Sequence, residues 1–159
     1  MKRMTMNFAA TALFLAAVAP ALAETSATHK IILPQDIVWK PAPAALPPGA
    51  EAAVLFGDPA KDGPFTLRVK VPKGYRIPPH THPAPEVVTV ISGTFRMGLG
   101  ATAEAGKAQP VTAGGFSAMP PGVVHYVFVD EDSILQINGI GPWGIDYVDP
   151  KDDPRKAGK

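Results

Sequence analysis

From residue 51 onward the chain alternates apolar and polar side chains with a period of two. In "FTLRVKVP", Leu67, Val69 and Val71 fall on one face while Thr66, Arg68 and Lys70 fall on the other, the pattern of a half-buried strand. "TFRMGLG" alternates again through Phe95, Met97 and Leu99, and "EVVTVIS" is rich in β-branched residues before it stops at Gly93. "AAVLFG", "VTAGGFSAMPPG", "VVHYVFV", "SILQINGI" and "IDYV" add further short runs, separated by Gly- and Pro-containing turns such as "GDPAKDGP" and by the acidic turn "DEDS". No stretch in this part keeps a 3.6-residue period with caps. Eight or so short strands at regular spacing predict an all-β domain, an antiparallel sandwich or barrel.

The first fifty residues read differently. Met1 to Ala23 carries Lys2 and Arg3, then "FAATALFLAAVAPALA", and ends in the small-x-small sequence Ala21-Leu22-Ala23. That apolar run is too short for a membrane-spanning helix, and the whole segment has the layout of a secretory signal cleaved before Glu24. The competing reading is a hydrophobic N-terminal helix. Residues 24–50 form a Pro-rich arm: Pro41, Pro43, Pro47 and Pro48 exclude a helix and disfavour a central strand. The barrel domain is expected over 51–148, and a polar tail over 149–159, ending in "KDDPRKAGK", closes the chain.

Composition narrows the chemistry. Loss of Lys2 and Arg3 with the signal takes the 15 basic residues to 13 against 14 acidic ones, a formal −1. A near-neutral surface without basic clusters argues against nucleic acid or anionic lipid as partner, and leaves a small molecule. The chain has no cysteine. Disulfides, thiolate zinc sites, iron–sulfur clusters and a cysteine nucleophile are all excluded. Any metal must be held by nitrogen and oxygen.

Two of the chain's four histidines stand one residue apart in "PPHTHPAPE". Side chains two apart in extended chain share a face, so His80 and His82 point the same way. Glu86 joins them if the segment stays extended, although Pro83 and Pro85 allow a bulge. Two imidazoles and a carboxylate are three legs of a divalent metal site. His125 is the natural fourth, sharing its parity with Val127 and Val129 and so facing an apolar interior. Taken alone, His125 would read as a hydrogen-bonded core histidine and His-Thr-His as an exposed strand edge.

The spacing around these residues carries a resemblance. Gly74-x5-His80-x-His82-x3-Glu86-x6-Gly93 and Gly114-x5-Pro120-x-Gly122-x2-His125 resemble the two motifs of the small single-domain bacterial cupins, in the same order. The resemblance spans roughly residues 51–148. One position departs: the family pattern ends in an asparagine where this chain has Val129, which bears on substrate or packing rather than on the ligands. The resemblance implies a jelly-roll β-barrel with His80, His82 and Glu86 on one strand and His125 opposite, together holding one divalent transition metal. Mn and Fe rank ahead of Zn, with Ni and Cu also compatible with three imidazoles and a carboxylate. It further implies either a metal-dependent enzyme of the dioxygenase or organic-acid oxidase/decarboxylase kind, or a non-catalytic metal- or ligand-binding sensor module. Such barrels often pair as homodimers through an outer sheet or an exchanged arm, for which "KIILPQDIVWK" is the candidate.

Beyond the ligands the inventory is thin. Gln136 and Asn138 alternate within an apolar strand and either line a pocket or face solvent. Trp143 and Tyr147 are placed to close a mouth of the barrel. His29 lies outside both motifs. No carboxylate other than Glu86 takes a clear inward strand position, which favours chemistry in which a metal does most of the work.

Overall fold

The computed structural model describes residues 29–156, so the expected signal segment 1–23 and the start of the arm lie outside the described residues. The chain divides into two units, 1–31 and 32–159. In the first, His29 to Ile31 are irregular. The second holds, among its described residues, eleven strands in two antiparallel sheets. One sheet runs in the order β1 (Lys40–Pro41), β2 (Glu51–Phe56), β3 (Gly63–Val71), β10 (Ser133–Gly141), β5 (Glu86–Ser92), β8 (Phe116–Met119). The other runs β11 (Asp146–Tyr147), β4 (Arg76–Thr81), β9 (His125–Val129), β6 (Thr94–Leu99), β7 (Gln109–Thr112). This is an all-β jelly roll. Among the described residues no helix is long and apolar enough to cross a membrane.

Parity decides what faces inward. Phe65, Leu67, Val69 and Val71 of β3 are buried, as are Val88 and Val90 of β5 and Leu135 and Ile137 of β10, and they meet Phe95, Val127 and Val129 of the facing sheet in one core. β9 is buried along its whole length. Its other face, Tyr126 and Phe128, packs with Ala108 in a second small cluster, where the Tyr126 hydroxyl donates to Glu104 O at 3.1 Å. Gly93, which joins β5 to β6, has φ 80°. A Cβ there would collide with Ser133 Oγ, so both conformation and space require glycine.

The core extends beyond the expected lower barrel limit at residue 51. Leu46 and Ala50 of the Pro-rich arm are buried within it. Two tyrosines fasten that arm: Tyr75 donates its hydroxyl to Pro47 O at 2.5 Å and Tyr147 to Ala45 O at 2.7 Å. Through Lys156 the segment expected as a solvated tail is largely exposed and is ordered into two 3₁₀ turns. Asp153 is buried, paired with Arg155, whose Nη2 reaches Ile145 O at 2.9 Å. Local capping supplies the reason: Asp149 accepts from Lys151 N and Asp153 from Arg155 N, each tightening its turn.

Burial pushes the Tyr147 hydroxyl up to about 12, with the nearby Asp153 charge adding to it. Tyr75 is raised too, by burial and then by Tyr147. Because both folded values lie above that of free tyrosine, about 10, their contribution is complete below pH 10 and disappears as pH climbs through about 12. The expected result is an alkaline loss of stability that releases the arm, seen as proteolysis within residues 42–50 between pH 10 and 12. A Tyr75→Phe/Tyr147→Phe double variant should be less stable at neutral pH and lack that step; an unchanged alkaline profile would show that these hydroxyls do not fasten the arm.

Candidate metal centre

The geometry begins with two prolines. Pro78 and Pro79 sit inside β4, where neither can donate to the β4–β9 ladder, and the register shifts between Ile77 and His80. After the shift His80 pairs directly with His125 of β9. The two imidazoles that lie far apart in sequence are therefore neighbours on adjacent strands, with ring centroids 4.2 Å apart. His82 follows the end of β4, and its carbonyl accepts from Gly122 N at 3.0 Å. That bond ties the His-Thr-His segment to the turn that delivers His125. Gly122 makes that turn with φ 74°.

Glu86 arrives by another route than the sequence suggested. The chain bends at Pro83 and Ala84, and Glu86 opens β5 in the other sheet. The expectation of three candidate ligands on one strand with His125 opposite is thus corrected. The three histidines gather on the β4–β9 side, and Glu86 faces them from across the barrel. The cause is covalent: prolines at 83 and 85 cannot continue the ladder, so the strand ends and crosses over.

All four side chains are buried, with His125 1%, His80 2%, His82 3% and Glu86 5% exposed. One ligating atom from each of His80, His82 and His125 lies within 4.8 Å of the others. Each ring is held through Nδ1 by a backbone carbonyl: Pro78 O at 2.7 Å for His80, Gly144 O at 2.7 Å for His82 and Val123 O at 3.0 Å for His125. A carbonyl can only accept, so each Nδ1 carries the proton and each Nε2 offers its lone pair. His82 Nε2 approaches Glu86 Oε2 at 3.3 Å, in ion-pair range but without hydrogen-bond alignment. It is the buried side-chain polar atom without a hydrogen-bond partner among the described residues. The other carboxylate oxygen, Oε1, accepts from Trp143 Nε1 at 2.9 Å.

The electrostatics follow from this packing. Burial, then the charge His125 would carry, pushes His80 down to about 3. Burial likewise lowers His125. Both stay neutral and ready to donate a lone pair. For His82 burial also opposes the charge, but the Glu86 carboxylate and the Gly144 carbonyl outweigh it and raise the imidazole. Glu86 mirrors this: burial pushes it up, and contacts with His82 and Trp143 prevail and lower it. The pair thus favours a positive charge between Nε2 and Oε2, which a proton or a cation can supply. Two neutral imidazoles, a third whose proton a cation can replace, and a carboxylate in a buried cluster fit a divalent transition metal.

Beside the cluster lies a cavity of about 40 Å³, room for two or three waters at most. Apart from His80, His82 and Glu86 its lining is hydrophobic, including Leu46, Met97, Ile137, Trp143 and Ile145. Trp143 is therefore a pocket residue. Tyr147 is not: its ring lies 5.9 Å from that of His80, and its hydroxyl turns to the arm. Gln136 and Asn138, for which the sequence left pocket lining and the solvent face both open, are not among the lining residues. They hold Arg68 and Thr66 on the opposite face of β10, while Leu135 and Ile137 point inward. Leu46 and the carbonyls of Pro78, Val123 and Gly144 escaped sequence reasoning. Backbone acceptors leave no side-chain signature, and Leu46, the one large apolar side chain in "PAPAALPPGA", sits in a stretch with no period to show which way it faces.

Residues 30–154 match the model of a family described as a domain of unknown function, DUF4437. The chain belongs to that family. No curated protein matches it. Solved structures place the family's fold. The polyketide cyclase RemF from Streptomyces resistomycificus is similar with a TM-score of 0.66 at 17% identity, covering 80% of this chain and 90% of that one. A putative acetylacetone dioxygenase from Methylibium petroleiphilum gives 0.60 at 22%, covering 80% and 85%. An RmlC-like cupin from Shewanella frigidimarina gives 0.56 at 17%, covering 71% and 91%. The fold is that of the RmlC-like cupins.

Proposed function

We propose that this chain is an exported, mononuclear metal-dependent enzyme of the dioxygenase or organic-acid oxidase/decarboxylase kind, working in the periplasm or outside the cell. His80, His82, Glu86 and His125 would hold the ion, with Mn or Fe ahead of Zn, Ni and Cu. The observation that carries the reading is the buried His82 Nε2, without a hydrogen-bond partner, in a cluster whose other imidazoles are locked in the ligating tautomer. A bound ion of this type supplies Lewis acidity and, for Mn or Fe, redox chemistry.

The chain's own residues bind, orient and exclude. Backbone carbonyls fix the imidazole planes, and the apolar lining keeps bulk water from the reacting face. The lining offers no acid or base apart from the residues assigned as ligands, so proton transfer beyond Glu86 falls to the substrate itself. It also offers no Lys or Arg, which favours a neutral or singly charged chelating substrate over a dianion.

The test is oxygen uptake by protein purified after export, with Glu24 at its N-terminus, loaded in turn with Mn and Fe. The panel comprises catechols, flavonols, oxalate, small thiols and acetylacetone, the last because a similar fold carries that name. Turnover on any of these supports the enzyme. Silence across the panel with metal bound favours the competing reading, a metal- or ligand-binding sensor module, which the small cavity and its lack of acid–base groups support.

A further inference from the structure

Trp143 stands outside both histidine motifs and belongs to the loop that follows β10, yet this loop touches two of the four candidate ligands. Its indole N–H donates to Glu86 Oε1 at 2.9 Å. Its ring stacks on His82 with centroids 5.8 Å apart and planes 20° from parallel. The next residue, Gly144, takes the Nδ1 proton of the same histidine at 2.7 Å. The loop is anchored in turn: Trp143 N donates to Pro59 O at 2.7 Å, and Phe65 meets the indole edge-on at 6.4 Å.

An indole N–H is a donor with no acceptor capacity at neutral pH, so it neither ligates nor relays a proton. What it does to a buried carboxylate is choose between its oxygens. With Oε1 occupied, Oε2 is the oxygen turned toward His82 Nε2. We infer that Trp143 is a positioning residue of the metal centre, reserving Oε1 so that Glu86 offers the ion one oxygen and leaves a coordination position open for substrate. The inference rests on the metal reading above and adds a residue that neither motif contains. It also gives the stacked geometry a purpose: the same indole that orients the carboxylate fixes the plane of the imidazole beside it, coupling the two ligands through one side chain.

The test uses Trp143→Phe, which keeps a ring against His82 and removes the donor. Co(II) serves as the probe, through its visible absorption, in the wild-type chain, in Trp143→Phe, in Glu86→Gln and in the double variant. The expected result is a 10- to 100-fold loss of Co(II) affinity in Trp143→Phe and an altered absorption spectrum as Glu86 changes its mode of binding. On the Glu86→Gln background the same substitution should cost little more, because its effect runs through the carboxylate. Equal losses on both backgrounds, or an unchanged affinity and spectrum, would overturn the inference while leaving the metal site standing. A wild-type chain that binds no Co(II) overturns the metal reading and this one with it. Should Trp143→Phe fail to fold, the indole proton of Trp143 can be followed by NMR in a Trp39→Phe chain, which retains a single tryptophan. A shielded, slowly exchanging resonance that moves in Glu86→Gln supports the bond; a fast-exchanging resonance indifferent to Glu86 refutes it.

Discussion

His82→Ala is expected to reduce the bound metal from about one equivalent per chain to a small fraction of that, measured by elemental analysis of the purified protein. Structural metal sites with four ligands contribute roughly 10–16 kcal/mol of binding, so one lost imidazole corresponds to a hundredfold or more in affinity. The structure adds a sign that separates ligand loss from general damage. Truncating His82 leaves the buried Glu86 Oε2 without the imidazole 3.3 Å away and Gly144 O without its donor, and both losses destabilise the metal-free chain. The metal-free variant should therefore melt below the metal-free wild type, and the rise in melting temperature on adding metal disappears, which is the part that reports ligand loss. For the wild type, metal at a hundred times its dissociation constant contributes about 2.7 kcal/mol. Since the raised His82 must lose its proton for a cation to enter, wild-type metal content should fall as pH is lowered and approach that of the variant. Unchanged metal content in His82→Ala would refute the ligand assignment.

Much of this site is legible in the sequence because strand parity is a hard constraint. Once "VVHYVFV" is a strand with Val127 and Val129 inward, His125 must point inward with them, and the structure buries all three. The same rule aligns β3 residue by residue. Parity stops working where the strand stops. Between His82 and Glu86 two prolines end the ladder, and the residue count there says nothing about which sheet receives the next strand. Spacing assigns Glu86 to the cluster, while its approach from the opposite sheet needs the tertiary fold. Gln136 and Asn138 stay undecided in the sequence for a related reason: β10 is apolar on both faces, with Ile134 and Ile140 on one and Leu135 and Ile137 on the other. Parity then groups the residues without saying which group faces in. Leu46 shows the third limit. An arm without regular structure has no period, and it is fastened by hydroxyls from Tyr75, just before β4, and Tyr147 of β11, both distant in sequence.

Phe65→Ala should be severely destabilising, costing about 3–5 kcal/mol in chemical denaturation against the roughly 5–15 kcal/mol that holds a typical domain together. Phe65 is 2% exposed near the start of β3. Its ring has no slack on the β10 side, where a Cβ on the paired Gly139 would come within 2.9 Å of Phe65 Cε1. On its other flank it meets the edge of Trp143. The cavity left by alanine would open next to the loop that holds Glu86 and His82, and the indole would lose the neighbour that keeps it against them. Two losses of different kind are therefore expected from one substitution. Stability falls because buried apolar contact is removed, and metal affinity falls because the grip on the ligands loosens, although Phe65 itself is bonded to none of them. Measuring affinity well below the melting temperature separates the two. A variant that loses the stability and binds metal as tightly as before would show that the ligands hold their geometry without Trp143, whereas a cost below about 1 kcal/mol would mean that the ring is not packed in the core as described.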